Sequence, residues 1–396
     1  MSFNFAYLSG GRLYLKLGHS NVQAVASQFG QAAQQRVIQA QRRNGWKQNN
    51  AIAGFLPGGV SEDRSIIPVM VQGVCPTGTN RLLYTLEAGE IGGIFTLDRQ
   101  ATQEKRLFHS ADFKVDRVDF HPQHKLIACG VLRKDGTANI AMMPVTAVKL
   151  EEVTEGDTID LAPKWVSGNR RAIVFQSTGI SRDAAGYIIE QEHSTIEELD
   201  LDRQEVITLA SDPKYDLLTP QMTADGTLYC IRRPYRPLRQ KVHLWQTIKE
   251  LLFIPIHLLI AVFEWLNFFA RRYTGKSLLA THQTPRIGTQ KTVFLGKLVD
   301  INYEIERNRR SGDADSPSLV PRAWELVKQL PHQAPEIIAS GVLGFDVGVD
   351  GSIVYSNGSA VYGIRPGGVP ERLLLDRQIE QVVMLDSPAT TENYLN

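Results

Sequence analysis

The chain has 396 residues, of which 43% are hydrophobic and 21% are charged, and its formal net charge is +1. This composition is typical of a folded globular protein with one large domain or two to three ordinary ones. A net charge so close to zero provides no long-range field that would attract nucleic acid, so any binding of anions requires a local basic patch.

The three cysteines are far apart in sequence and form no CxxC pair. Cys75, Cys129 and Cys230 each lie in or beside an apolar run, such as LIAC around Cys129. This spacing indicates neither a zinc site nor a disulfide framework. Buried free thiols in a reducing compartment are the expected state.

The first 19 residues predict two strands joined by a tight turn at Ser9–Gly11. They lack the basic start and the continuous apolar core of a signal peptide, because Arg12 and Lys16 interrupt the apolar pattern. We therefore expect a protein that is not secreted. The next segment, Asn21–Arg43, predicts a helix with Ser20 as its N-cap and a glutamine-rich outer face.

Short strand-like runs dominate the rest of the chain. RLLYTL, GGIFTLD, VDRVDFHP and KLIACGVL begin the series, and GFDVGV, SIVYS, AVYGIR and ERLLLD end it. They are rich in branched and aromatic residues and are bounded by Gly, Asp, Asn or Pro. Groups of four such runs recur every 40 to 50 residues or so, a period that indicates a β-propeller.

Three turns carry a family resemblance: Phe120–Lys125 (FHPQHK), Asp225–Tyr229 (DGTLY) and Asp350–Ile353 (DGSI). On these motifs, the chain resembles the TolB-like or WD40-like β-propeller superfamily over most of its length, although it has no clear GH…WD signature. The resemblance implies an all-β propeller, for which the runs predict six blades, with seven as the alternative. A last strand at Glu380–Leu385 is expected to pair with the N-terminal strands and close the ring, which removes exposed sheet edges.

A long apolar segment interrupts the propeller pattern. We predict propeller strands over residues 1–239 and 281–396, with an inserted helical segment over 240–280. Within it, Val242–Lys276 is expected to be helical with a kink at Pro255, and Leu251–Ala270 carries one charge, Glu264. Twenty residues at about 1.5 Å each could span a bilayer.

A single crossing conflicts with the rest of the sequence, because it would place the two parts of one ring on opposite sides of the membrane. Both flanks are basic, so both prefer the same side. On a helical wheel, the polar residues form one stripe beside a wide apolar face. These features predict a monotopic amphipathic helix that dips into one leaflet.

This interpretation assigns two sets of site residues. The apolar set at the membrane interface is Trp245, Leu252, Phe253, Ile256, Leu259, Val262, Phe263, Trp265, Leu266 and Phe269. The set expected to contact anionic lipid is Arg232, Arg233, Arg236, Arg239, Lys241, Arg271, Arg272 and Lys276. Each buried apolar side chain contributes about 1.5 to 3 kcal/mol, and each basic residue near an anionic surface about 1 kcal/mol. The alternatives are a helix that packs on its own propeller, on a partner protein or on a second copy.

Two more segments follow the insertion. Arg307–Pro321 predicts a polar, flexible loop, and Arg322–Leu330 predicts a short helix.

Motifs for catalysis and for cofactors are missing from the sequence. It contains no GxSxG, P-loop, Rossmann or HExxH string, so we predict no cofactor and no catalytic residue. His121 and His124 have a spacing that could hold a metal, but no third ligand is near in sequence, and turn residues are the simpler interpretation. Asp112, Asp116 and Asp119 lie near the start of a blade, and the propeller resemblance implies that such carboxylates can gather around the channel.

The sequence therefore predicts a non-enzymatic scaffold held on the cytoplasmic face of a membrane. Its partners would be anionic lipids and an unidentified protein, with no nucleic acid and no identified small-molecule substrate. The segments Asn21–Arg43 and Arg307–Pro321 are the expected protein-binding surfaces. The alternative is a propeller enzyme, or a binder of a small ligand or metal, that uses the mouth of the central channel.

Overall fold

The computed structural model describes residues 3–36, 39, 69–78, 80–89, 91–99, 103–147, 149–237, 291–311 and 315–385. Within these ranges, the chain forms six four-stranded antiparallel sheets, each of which is one blade of a propeller. The predicted all-β, six-bladed architecture is thus confirmed.

The strands follow the chain from blade to blade. Blade 1 contains β1 (Asn4–Ser9), β2 (Arg12–Leu17), β3 (Gln23–Val25) and the last strand, β28 (Ile379–Met384). Blade 2 contains β4 (Val69–Pro76), β5 (Arg81–Ala88), β6 (Ile91–Asp98) and β7 (Gln103–Ser110). Blade 3 contains β8 (Lys114–His121), β9 (Leu126–Leu132), β10 (Ala138–Pro144) and β11 (Glu151–Glu152).

The second half of the ring carries two additional hairpins. Blade 4 contains β12 (Leu161–Trp165), β13 (Ala172–Ser177), β16 (Thr195–Asp200) and β17 (Glu205–Ala210), with the hairpin β14 (Ile180–Arg182) and β15 (Ile188–Gln191). Blade 5 contains β18 (Tyr215–Met222), β19 (Leu228–Pro234), β22 (Glu325–Gln329) and β23 (Glu336–Ser340), with the hairpin β20 (Lys291–Phe294) and β21 (Lys297–Asp300). Blade 6 contains β24 (Gly344–Val347), β25 (Ile353–Ser356), β26 (Ala360–Ile364) and β27 (Glu371–Leu375).

The innermost strands form a closed ring. Each touches the next in the order β28, β4, β8, β12, β18 and β24, and β24 returns to β28. The second strands, such as β9, are buried on both faces because blades pack against one another, so they read as continuous apolar runs. Outer strands such as β17 are largely exposed.

Ring closure follows the prediction made from the C-terminal run. Strand β28 pairs with β1, with Tyr7 opposite Val382, and the amide of Leu385 donates to the carbonyl of Asn4 at 2.9 Å. The first hairpin also forms as predicted. Gly10 and Gly11 have φ angles of 54° and 72°, in the left-handed region that a two-residue turn requires.

The helix expected over Asn21–Arg43 begins later than predicted. Residues 23–25 form β3, because β2 needs an outer partner in blade 1. Helix α1 is described over residues 28–36. Its N-cap is Ser27 rather than Ser20: the Ser27 hydroxyl accepts from the amide of Gly30 at 3.0 Å.

The expectation of a helix over Arg322–Leu330 is wrong. Residues Glu325–Gln329 form β22, which lies between β19 and β23 in blade 5. Leu326 and Val327 are both buried there. Neighbouring strands thus override the local helical preference of this segment.

The segment Arg307–Pro321 is not a free loop in its described part. A helix that the sequence pattern did not predict, α2 (Ile301–Arg310), covers its start, and Asp300 caps this helix by accepting from the amide of Tyr303 at 3.1 Å. The buried Asn308 amide donates to the carbonyls of Ser318 and Val320 at 2.8 and 3.0 Å. A buried asparagine instead of an apolar residue explains why periodicity failed to reveal the helix.

The apolar insertion falls outside the described residues. The chain leaves the described region after residue 237 and returns at 291, between β19 and β20. The predicted helix Val242–Lys276 and the whole apolar site set lie in that gap. None of the helices within the described ranges combines the length and the apolar character needed to cross a bilayer.

Candidate functional site at the central channel

A cavity of about 460 Å³ occupies one mouth of the central channel, and it is lined by residues of blades 1 to 5 and by Leu343, just before β24 of blade 6. The hairpin β20–β21 leans over this mouth, with Phe294, Leu295 and Lys297 in its wall. We call this space the hairpin cavity. Below it, the channel narrows to a pocket of about 30 Å³ around Pro163, Pro220 and Phe345, and a third pocket of about 310 Å³ opens on the opposite side.

The inner strands bulge where they line the hairpin cavity. In five blades, the pairing register shifts by one residue on the inner strand. The extra residues are Glu380, Gln72, one of Asp116 and Arg117, one of Ala162 and Pro163, and one of Thr219 and Pro220. A bulge re-aims side chains and disrupts the ladder locally. The bulges therefore place polar side chains in the channel that a regular strand would direct elsewhere.

The floor of the hairpin cavity is charged. Asp116 and Arg117 come from blade 3, and Glu380 comes from blade 1. Burial raises the pKa of both carboxyls, and the nearby Arg117 guanidinium opposes that rise. Burial also lowers the pKa of Arg117, while both carboxylates oppose that change. The three charges thus act on one another across the floor.

The side of the cavity nearest the hairpin is held by a buried ion pair. The Arg233 side chain donates to Asp216 at 2.9 Å and to the carbonyl of Leu295 at 2.7 Å, and its guanidinium lies over the Trp324 ring. Arg233 is 5% exposed. Because this arginine fastens the hairpin to blade 5, its charge is not available to a lipid surface.

The other lipid-binding candidates within the described residues differ from one another. Arg232 pairs with Glu325 at 2.7 Å and stacks on Tyr215, so its charge is already neutralised. Arg236 is exposed at the rim of the hairpin cavity. Arg239, Lys241, Arg271, Arg272 and Lys276 lie outside the described residues.

A second polar cluster lies deeper in the channel, around Lys164. The Lys164 ammonium is 3.2 Å from an Asp119 oxygen and 3.5 Å from an Asp346 oxygen. Burial alone would lower the pKa of Lys164, but the two carboxylates outweigh it and raise that pKa. Asp119 also accepts from the Trp165 amide at 2.8 Å and from the Cys75 thiol at 3.3 Å.

This cluster, which we call the Lys164 network, extends to the remaining blades. Asp346 accepts from the Met384 amide at 2.7 Å and from the Gln221 side chain at 3.0 Å, and Gln221 in turn accepts from the Val347 amide at 2.9 Å. The network therefore joins the inner strands of all six blades.

The three aspartates noted in the sequence do not converge. Asp112 is exposed, Asp116 lies in the hairpin cavity and Asp119 belongs to the Lys164 network. The structure thus separates them along the channel instead of assembling one acidic site.

His121 and His124 lie beside the opposite mouth. Their ring centroids are 4.6 Å apart, and their Nε2 atoms lie 3.3 and 3.4 Å from the carbonyls of Arg170 and Asn169. Burial lowers the pKa of His121, whose ring meets that of Trp165 edge-on. Within the described ranges, His, Cys, Asp and Glu side chains form no group of three that could hold a metal ion.

The cysteines are free and buried, as expected, and burial raises the pKa of all three thiols. Nothing in the residue pattern singles out Arg117, Lys164, Thr219 or Glu380. The strand register, and hence the direction of these side chains, depends on bulges that alternation alone does not reveal.

Comparison with known proteins agrees with the architecture. A scan against protein-family models finds no match, and a search of curated proteins finds none. Among solved structures, TolB from Acinetobacter baumannii is similar, with 10% identity and a TM-score of 0.50 over 97% of this chain and 66% of that chain. The nidogen/laminin complex gives 8% identity and a TM-score of 0.48 over 96% and 98% of the two chains. The tricorn protease gives 10% identity and a TM-score of 0.39 over 94% and 33%.

The fold is therefore a TolB-like, six-bladed β-propeller. At these identities, the likeness defines the fold alone. The chain spans just under two thirds of the length of that TolB structure.

Proposed function

We propose that the chain is a non-enzymatic propeller scaffold that attaches to the cytoplasmic face of a membrane through its apolar insertion. The observation that supports attachment is the position of the two ends of the insertion. Lys297, shortly after the return of the chain, donates from its ammonium to the carbonyl of Arg236, at the departure, at 3.3 Å. Described residues on both flanks, Arg236 before the gap and Val293–Lys297 after it, line the hairpin cavity, so the described chain breaks off and resumes beside one mouth of the channel.

This placement favours a segment that enters one leaflet and returns. Two full crossings require about 40 apolar residues, whereas the apolar run Leu251–Ala270 has half that length. A single crossing would leave the two ends on opposite sides. A kinked interfacial helix satisfies both constraints.

The hairpin β20–β21 presents a suitable surface beside the insertion. Val293 and Leu298 are cross-strand partners, and they are 61% and 65% exposed. An exposed apolar pair next to lysines Lys291 and Lys297 suits shallow contact with lipid headgroups. The basic contribution then comes from Arg236 and from Arg239, Lys241, Arg271, Arg272 and Lys276, while Arg232 and Arg233 stabilise blade 5.

Flotation with vesicles tests the proposal. Full-length protein is expected to float with vesicles that contain phosphatidylserine and to float less with phosphatidylcholine alone. A variant lacking residues 242–277 should remain in the dense fraction, and Val293→Ser with Leu298→Ser should weaken flotation. Val349→Ser is the matched control, because this exposed valine lies at the opposite mouth. Equal flotation of the full-length and deleted proteins would rule out the proposed anchor.

The scaffold role also needs a protein partner. Rigid loops around a propeller channel suit protein docking, and the candidate surfaces from the sequence are Asn21–Arg43, which contains α1, and Arg307–Pro321, which contains the end of α2. A pull-down from detergent-solubilised membranes is expected to recover a stoichiometric partner, and full-length bait that recovers none would count against the scaffold role.

A second candidate function is the binding of a small ligand. The hairpin cavity favours it, since about 460 Å³ falls within the range of ordinary ligand pockets, roughly 300 to 1,000 Å³.

A further inference from the structure

We propose that the hairpin cavity binds a free α-amino acid, with its carboxylate on Arg117 and its ammonium between Asp116 and Glu380. The inference rests on the second candidate function above. It does not depend on the insertion or on membrane attachment, so the amino-acid site and the membrane anchor can fail separately.

The arrangement of charge selects a zwitterion. Arg117 forms no ion pair with the described side chains, yet the charges of Asp116 and Glu380 act on it. A simple anion that approached Arg117 would be repelled by the two carboxylates, and a simple cation would be repelled by Arg117. A ligand that carries both charges avoids each repulsion.

The shared cavity and the mutual influence of these charges select an amino acid over a peptide. Asp116 and Arg117 are adjacent in sequence, and both line the floor of the same cavity. In a peptide, every additional residue moves the terminal ammonium and carboxylate apart by up to about 3.3–3.6 Å. In a free α-amino acid, both groups are attached to one carbon, which suits a guanidinium fork flanked by acids.

The burial and the backbone conformation of Thr219 provide independent support for a ligand at the same site. It lines the hairpin cavity and is 7% exposed, and within the described part of the chain its hydroxyl has no hydrogen-bond partner. Its φ of 49° is a left-handed conformation that is uncommon for a β-branched residue. A buried hydroxyl without a partner on a strained backbone calls for an explanation, and we assign the missing partner to the ligand.

The shape of the channel gives the direction of binding. The narrow pocket of about 30 Å³ below the floor admits no ligand, so the amino acid enters from the hairpin side. Its side chain then points to the rim, where Glu192, Arg236 and Lys297 lie. These three charges sum to one positive charge, so we expect acidic side chains to bind more tightly than basic ones.

Titration calorimetry of the full chain with each of the common L-amino acids tests the proposal. At least one is expected to bind and to raise the Tm, with acidic members ahead of basic ones. The N-acetyl and the carboxamide forms of the best binder should each bind about tenfold more weakly or worse, because each loses a charge-assisted contact.

Substitutions in the floor of the cavity test whether the amino acid binds there. Glu380→Gln and Arg117→Lys are expected to weaken binding by about tenfold or more, while the exposed Asp112→Asn leaves it unchanged. Thermal unfolding of the unliganded variants checks that they fold. If Arg117→Lys fails to fold, Glu380→Gln still tests the site, because it keeps the side-chain volume. The proposal is overturned if no amino acid binds at millimolar concentration, if the blocked forms bind equally well, or if folded Glu380→Gln binds like the parent.

Discussion

At the scale of single residues, Lys164 has the largest set of charged contacts in the described channel. Its ammonium pairs with two carboxylates from different blades, Asp119 and Asp346. Each carboxylate also accepts a hydrogen bond from a backbone amide. Buried charges are tolerated only when paired, and removing one member leaves the others uncompensated. Lys164 therefore stabilises the junction of blades 3, 4 and 6 electrostatically.

Replacing this lysine is expected to cost stability. Lys164→Met keeps much of the side-chain volume but leaves Asp119 and Asp346 without their cation, so the free energy of unfolding should fall by about 3–5 kcal/mol. Urea denaturation followed by circular dichroism measures the change. Lys149→Met is the control, because the Lys149–Glu151 pair is exposed at 3.9 Å and should change stability by less than about 0.5 kcal/mol. If the two substitutions lowered the free energy of unfolding equally, the Lys164 network would contribute no more to stability than an exposed ion pair.

At the scale of elements, the closing strand β28 is the innermost strand of blade 1. It contributes Ile379, Val382 and Val383 to the core, all of them buried. It also carries Glu380 into the hairpin cavity through its bulge. Strand β28 thus couples ring closure to the candidate site.

A single truncation in β28 should weaken closure. Ile379→Ala removes buried methyl and methylene groups from a position with no solvent exposure, and a loss of about 2–5 kcal/mol is expected. Val369→Ala is the matched control: this valine is 82% exposed and should have an effect within about 0.5 kcal/mol. Denaturant midpoints report both changes. A loss below about 1 kcal/mol for Ile379→Ala would mean that the core around β28 repacks.

At the scale of the whole molecule, the ring is built from both sides of the insertion, and the insertion need not take part in it. The described chain breaks after Pro237 and resumes at Lys291, and the Lys297 ammonium of the returning hairpin donates to the carbonyl of Arg236. The core of blade 5 combines residues from before and after the gap, such as Ile231 and Leu326. The propeller is therefore expected to fold without the insertion.

Replacing residues 238–290 by a short Gly/Ser linker tests this expectation. The variant should unfold in one cooperative transition with stability equal to the parent or about 1 kcal/mol higher, since a shorter loop costs less closure entropy. Circular dichroism during urea titration measures it. Scrambling residues 238–290 instead of shortening them is the control for composition. A variant that fails to fold would place the insertion in the core of the propeller.

Much of the fold could be predicted from local pattern. The strands of blades 2, 3 and 6 have branched apolar residues between turn residues, and their spacing predicted the propeller, its blade number and its closing strand. The late start of the helix predicted over 21–43 and the wrong helix predicted over 322–330 have a common cause. Gln23 and most residues around Val327 carry no strong strand signal of their own, and pairing with a neighbouring strand determines their conformation.

The candidate site was less predictable. Asp116 could be noted as an acid near the start of a blade, but Arg117, Thr219 and Glu380 lie far apart in sequence, and their meeting depends on ring closure. Conversely, Arg232 and Arg233 belong to a basic run in the sequence, yet the structure pairs both with acids from other strands.

The sequence by itself determined the all-β class, the six-bladed repeat, the closing strand and the existence of an apolar insertion, because each of these is set by periodic composition along the chain. Only the tertiary structure decided which charges face the channel, which charges are already paired, and that the described flanks of the insertion meet at one mouth. These features depend on strand register, on bulges and on contacts between residues tens to hundreds of positions apart, none of which local pattern reveals.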